Sequence, residues 1–193
     1  MTETAAEAST LVLLRHAKSA WPDVPDHERP LAERGRLAAP AMGDWLRIVG
    51  YQPDLVLCST ARRARQTWEL AQPALRTDPP TVFDRRLYQA SAERMLDLIR
   101  HTDPSVRTLL VIGHDPAIPE LAIALAAASP AVLAPGDRAA PRTVLDRMRA
   151  KFPTGAVAVF ESSEDWSQLS PGLTRMACFV TPRDLVDQPP GTT

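Results

Sequence analysis

Three short apolar runs, rich in branched residues, break off directly into polar side chains: 10–14 into Arg15-His16, 54–58 into Ser59-Thr60 and a burst of arginines, 108–112 into Gly113-His114-Asp115. Runs of that length read as buried strands, and the intervals between them carry helical spacing. One helix is expected over about 32–49, with Leu37, Ala41, Trp45 and Ile48 at helical spacing and Gly50 as its stop. Others are expected over 61–75, over 93–101 with Met95, Leu96 and Ile99 inward, and over 116–128, where Pro119 fits the first turn. The stretch 81–87 reads as a weaker strand, 131–142 as a Pro/Gly/Ala loop, 142–151 as a short basic helix, and 156–160 and 176–180 as two late strands. Strands alternating with helices predict an α/β fold: a three-layer α/β/α sandwich around a mostly parallel sheet. In such sheets ligands sit beyond the carboxyl ends of the strands, where the three polar breaks fall.

With 193 residues, 45% of them hydrophobic and 23% charged, the chain can bury one sizeable core. We expect a single domain over 10–183, with 1–9 and 187–193 as flexible termini. The formal net charge of -1 gives no overall attraction to nucleic acid or an anionic membrane, so any anion site must be a local concentration of charge. Cys58 and Cys178 both lie in strand-like runs, which suggests two buried reduced thiols and a cytoplasmic setting. The first nine residues hold Glu3 and Glu7 and no basic residue, unlike a secretory leader. His114, Asp115, Pro116, Pro119 and Glu120 interrupt the apolar stretch 109–128, so no membrane span is expected.

Arg15, His16, Arg63 and His114 are nitrogen-rich side chains that a parallel sheet would bring to one edge. Guanidinium forks match phosphate oxygens in pairs, and an imidazole among them can act as nucleophile or proton donor. The helix opening after Ser59-Thr60 would add its N-terminal backbone N–H groups. Taken singly these residues say little, because a histidine ending a strand is commonly a structural hydrogen-bonder and an arginine opening a helix commonly a solvated charge. Arg62 and Arg65 fit that second description, and His27 and His101 read as structural.

In three blocks the sequence resembles the histidine phosphatase superfamily, with its phosphoglycerate mutase-like fold. They are Arg15-His16-Ala17 after the first strand, Ser59-Thr60-Ala61-Arg62-Arg63-Ala64-Arg65-Gln66-Thr67, and Val111-Ile112-Gly113-His114-Asp115-Pro116. Within that superfamily, Arg15-His16-Ala17-Lys18-Ser19, the stretch from Arg29-Pro30-Leu31 to Gly35, Leu87-Tyr88-Gln89-Ala90 and Lys151-Phe152-Pro153-Thr154-Gly155 look like the small SixA-type phosphohistidine phosphatases. The resemblance implies a metal-independent hydrolase without cofactor. His16 would take the phosphoryl group, Arg15, Arg63 and His114 would hold its oxygens, and Lys18, Ser19 and Arg29 would contact substrate.

Monoester-cleaving and mutase members commonly place a glutamate just after the strand near position 87 as general acid, whereas Leu87-Tyr88-Gln89 has no carboxylate. An alcohol leaves poorly without a proton donor, while an imidazole of pKa about 6.5 leaves a P–N bond readily once protonated. The expected substrate is therefore a phosphohistidine on a protein, unless Asp84, Asp115 or a residue of 130–152 supplies the proton. A small phosphorylated metabolite cleaved as a monoester and a catalytically silent phosphoprotein-binding module are the alternatives. Specificity is expected in loops 20–30 and 129–152, where Arg142, Arg147, Arg149 and Lys151 could meet an acidic partner or simply be solvated.

Overall fold

The alternating runs fold as the pattern dictates in the computed structural model, which describes residues 8–129 and 141–186. Among these residues the strands are β1 (Ser9–Arg15), β2 (Leu55–Ser59), β3 (Thr81–Asp84), β4 (Thr108–Gly113), β5 (Val157–Ser162) and β6 (Arg175–Val180). The helices are α1 (Glu33–Ile48), α2 (Arg62–Leu75), α3 (Ala92–Arg100), α4 (Ala117–Ala128), α5 (Pro141–Ala150) and α6 (Pro182–Val186). The sheet order is β3-β2-β4-β1-β5-β6. Its first four strands run parallel, and β5 runs against both β1 and β6. The mostly parallel sheet with helices on both faces is the expected sandwich.

Each central strand is buried on both sides, which is why its sequence is a continuous apolar run. Leu11, Leu13, Leu109, Val111 and Phe160 point to one face, where they pack with α3, α4 and α5 through Met95, Leu121 and Met148. Val12, Leu14, Val56, Leu110 and Ile112 point to the other, against Met42 and Leu46 of α1 and Trp68 of α2. No helix among the described residues is long and apolar enough to cross a membrane.

The structure corrects the reading in four places. Helix α1 buries Gly35, Ala39, Met42, Gly43 and Leu46, while of the residues noted at helical spacing Leu37 (73%) and Ile48 (55%) are exposed and Trp45 is half-buried against the core. The inner stripe escaped notice because it is built of small residues that allow α1 to lie close against α2. Gly43 has room for no side chain: a Cβ there would lie 2.0 Å from the Ala71 carbonyl oxygen. The strand expected over 81–87 stops at Asp84, whose carboxylate accepts from the Arg86 N–H at 2.7 Å and turns Arg85–Leu87 into a 3-10 helix. Ser9 belongs to β1 rather than to a flexible terminus, and Cys178, on edge strand β6, is only half-buried. Residues 1–7 and 187–193 of the expected termini and 131–140 of the loop expected over 131–142 lie outside the described residues, and the last two positions of that loop belong to α5. Gly50, with φ of +84°, follows α1 as its expected stop.

Gly35, in the first turn of α1, is pressed against the loop after β1, and a Cβ there would lie 2.1 Å from the Lys18 carbonyl oxygen. Gly35→Ala should therefore destabilise the fold by about 1–3 kcal/mol, the usual effect of overpacking. Urea unfolding should show a lower midpoint with an unchanged slope. An unchanged midpoint would contradict this close packing.

Candidate active site

The register of the sheet brings the polar breaks together. Arg15 lies opposite Gly113 and Cys58 opposite Ile112, so His16 and His114 leave adjacent strands at one level, with Ser59 one residue lower on β2. The side chains of His16, His114 and Arg63 are all buried in the resulting pocket. The two imidazole rings lie 5.0 Å apart, and Arg63 Nε donates to His16 Nε2 at 3.2 Å.

His16 is held in one tautomer. Its Nδ1 lies 2.7 Å from the Ala17 carbonyl oxygen, which can only accept, so Nδ1 carries the proton and the lone pair of Nε2 accepts from Arg63. Burial, reinforced by the nearby Arg63, Arg15 and Arg29 charges, pushes the His16 pKa down to about 3 despite the raising effect of the Ala17 contact. His114 is pushed down to about 2, by burial first and then by His16 and Arg63. Its Nε2 lies 2.7 Å from Ser59 Oγ, a hydroxyl that also accepts from the Ala61 N–H at 3.3 Å. With the Ser59 proton directed to Nε2, the ring proton of His114 sits on Nδ1. That buried nitrogen has no hydrogen-bond partner among the described residues.

Helix α2 fixes the loop that carries the histidine. Gln66 Oε1 accepts from the Leu31 N–H at 2.8 Å, and Thr67 Oγ1 accepts from the Ala17 N–H at 3.0 Å while donating to the Arg63 carbonyl at 2.7 Å. Positions 63, 66 and 67 share one helix face. The conspicuous Gln-Thr pair therefore positions the backbone on either side of the pocket.

Arg15 stands beside this cluster, donating to the Phe152 carbonyl at 2.6 Å and pairing with Asp115 at 3.0 Å, and burial lowers its pKa. Lys18 is exposed at the rim. Ser19 and Arg29 are buried and bind each other, with Arg29 Nη2 donating to Ser19 Oγ at 2.9 Å and Arg29 Nε to the Ala20 carbonyl at 3.0 Å. The structure thus unites His16, Arg63 and His114, sets Arg15 and Lys18 at their side, and ties Ser19 and Arg29 into the loop beneath.

Sequence reading missed Asp26 and Tyr88. The Asp26 carboxylate joins Arg29 at 2.8 Å, Arg63 at 3.1 Å and the Tyr88 hydroxyl at 2.8 Å, and its carbonyl accepts from Arg63 Nη1 at 2.7 Å. The Tyr88 hydrogen bond and the two guanidiniums hold its pKa down to about 2. The one available signal was an acidic residue three positions before Arg29 in a proline-bounded loop. His27 also reaches the rim, with Nε2 3.0 Å from Thr60 Oγ1 and its ring against Tyr88, while His101 is confined to the end of α3.

Two neutral imidazoles flanked by guanidiniums form a site for a tetrahedral anion, with one lone pair aimed inward and donors around it. The family model described as the histidine phosphatase superfamily (branch 1) matches residues 11–95. An uncharacterized Mycobacterium tuberculosis protein is 43% identical over 171 residues, 88% of this chain and 100% of its own. A candidate phosphohistidine phosphatase SixA from Nakamurella multipartitia superposes with a TM-score of 0.76 at 33% identity, over 92% of this chain and 98% of that one. A similar candidate SixA from Agrobacterium tumefaciens gives 0.71 at 29% identity, over 90% and 98%.

The depressed histidine pKa values make a stability prediction. Above pH 6.5 these rings are neutral whether folded or unfolded; below it the unfolded chain binds protons that the native state refuses, so stability falls as pH drops toward 3. Each such ring contributes a slope of about 1.4 kcal/mol per pH unit. His114→Gln should flatten the fall in urea-unfolding stability between pH 6 and pH 4 by about that amount. An unchanged slope would mean that His114 titrates normally in the fold.

Proposed function

The chain belongs to the histidine phosphatase superfamily and is a phosphatase, and we propose that it hydrolyses phosphohistidine on a protein, with His16 as the nucleophile. The observation that carries the substrate is the state of the carboxylates around the pocket. Gln89 stands where a general acid is expected, and it is exposed with φ of +58°. Asp26 is held ionised at about pKa 2, Asp84 is clasped by Arg86 at 2.6 Å, and Asp115 pairs with Arg15. Each of these carboxylates is engaged by a guanidinium and none stands free to serve an alkoxide, whereas an imidazole leaving group takes its proton from water near neutral pH.

His16 Nε2, unprotonated, attacks phosphorus in line as the P–N bond to the substrate imidazole breaks. The departing imidazole leaves with the electron pair and a proton, and the phosphoryl group now sits on Nε2. The Nδ1–H bond to the Ala17 carbonyl stabilises the positive charge that His16 acquires. Arg63, Arg15 and His114 Nδ1 hold the phosphoryl oxygens, and water then attacks to release orthophosphate and restore the ring. The Arg63 Nε–H contact on Nε2 is exchanged for a phosphoryl oxygen as substrate enters. Among the described residues no cluster of His, Cys, Asp or Glu could hold a metal ion, and the guanidiniums supply positive charge where the oxygens lie. Cys58 is a buried thiol and Cys178 a half-buried one, which fits work in a reducing cytoplasm.

The purified protein, with chelator present, should release phosphate from a phosphohistidine protein and from phosphoramidate far faster than from a panel of sugar and nucleotide monoesters. His16→Ala should lose at least about a thousandfold in kcat/KM. Turnover of monoesters alone would replace the phosphohistidine reading with a phosphomonoesterase, and no turnover by the wild type would leave a phosphoprotein-binding module.

A further inference from the structure

Beside the His16 pocket, on its β5–β6 side, lies a hollow of about 640 Å³ between the start of α1, the end of α5 and the turn into α6. Its walls carry Arg15, Lys18, Arg34, Arg147, Lys151 and Arg183, and no carboxylate is among its described lining residues. Arg147 pairs with Asp184 at 3.1 Å and Arg15 with Asp115. Lys18, Arg34, Lys151 and Arg183 are exposed and have no carboxylate partner among the described residues. The chain as a whole carries a net charge of -1, so this is a local concentration of cations. Bringing like charges around one concavity is unfavourable, and Arg34 sits in the first turn of α1, where the helix dipole also disfavours a cation.

We propose that this hollow docks an acidic segment of the phosphorylated protein, adjacent to its phosphohistidine; the proposal rests on the phosphatase reading above. Arg15 supplies the continuity, since it ends β1 next to His16 and also walls the hollow, so a chain whose phosphoryl group is at His16 extends its neighbouring residues between these cations. The character of the cations selects carboxylates over a second phosphate. The phosphoryl pocket holds buried, hydrogen-bonded arginine, whereas the hollow presents exposed side chains on long flexible stems between the short side chains of Ala38 and Ala150. Cations of that kind attract a spread of acidic side chains and set partner choice and encounter rate.

The test uses two fluorescein-labelled peptides that differ only in carrying Glu or Gln around a central histidine. Binding of the unphosphorylated peptides is measured on His16→Ala, and turnover of the phosphohistidine forms on the wild type. The Glu peptide should bind about tenfold more tightly at low salt, about three exposed ion pairs' worth. The preference should vanish near about 0.5 M NaCl, and in a background that also carries Arg34→Glu, Lys151→Glu and Arg183→Glu. Phosphoramidate turnover by that triple variant, with His16 intact, should match the wild type. If charge reversal impairs folding, the Gln variants at the same three positions should abolish the preference instead. Equal binding of both peptides, a preference that survives the substitutions, or tripolyphosphate binding without a peptide preference would overturn the proposal. A Glu preference without hydrolysis of either phosphohistidine would uphold the docking surface and overturn the phosphohistidine reading.

Discussion

Parallel pairing makes every strand leave the sheet on the same side, and in this chain that constraint builds the site. β1, β4 and β2 are neighbours in the sheet although α1, α2 and α3 separate them in sequence. Their register places His16 opposite His114 and Ser59 one residue from them, so the groups of the candidate site converge without any long loop to carry them. Residues standing on the ends of buried strands inherit the stiffness of the core, which suits a reaction that depends on placing one lone pair in line with a phosphorus atom.

Burial then sets the chemistry. Two imidazoles taken out of water among guanidiniums cannot hold protons near neutral pH, and a nucleophile needs that state. The Ala17 carbonyl decides which nitrogen is free, and the Thr67 hydroxyl holds the Ala17 backbone in place. The guanidiniums that reinforce the effect of burial on His16 are the ones that would hold phosphoryl oxygens in the proposed reaction. Asp26 meets Arg63 from the loop side, so an entering phosphate shares or displaces a carboxylate already there.

Much of this was legible in the sequence, because apolar runs ending in Arg-His, Ser-Thr and Gly-His carry both the strand and its functional end. The reading failed where the signal was not hydrophobicity. The buried face of α1 consists of Gly35, Ala39 and Gly43 beside Met42 and Leu46, and close approach rather than apolar bulk marks it. Asp26 and Tyr88 lie 62 residues apart and meet through a hydroxyl, which no local pattern encodes. Arg29 and Ser19, both read as substrate contacts, are also tied to each other, and Arg29 to Asp26, within the loop by hydrogen bonds that spacing cannot express.

In the proposed reaction the phosphoryl group passes through His16. Rapid quenching of the enzyme during turnover of a labelled phosphohistidine substrate, followed by peptide mapping under alkaline conditions, tests it most directly. One acid-labile, alkali-stable phosphoryl group should be found on the peptide containing His16. A burst of product with no labelled enzyme, or label on His114 or His27 instead, would contradict it.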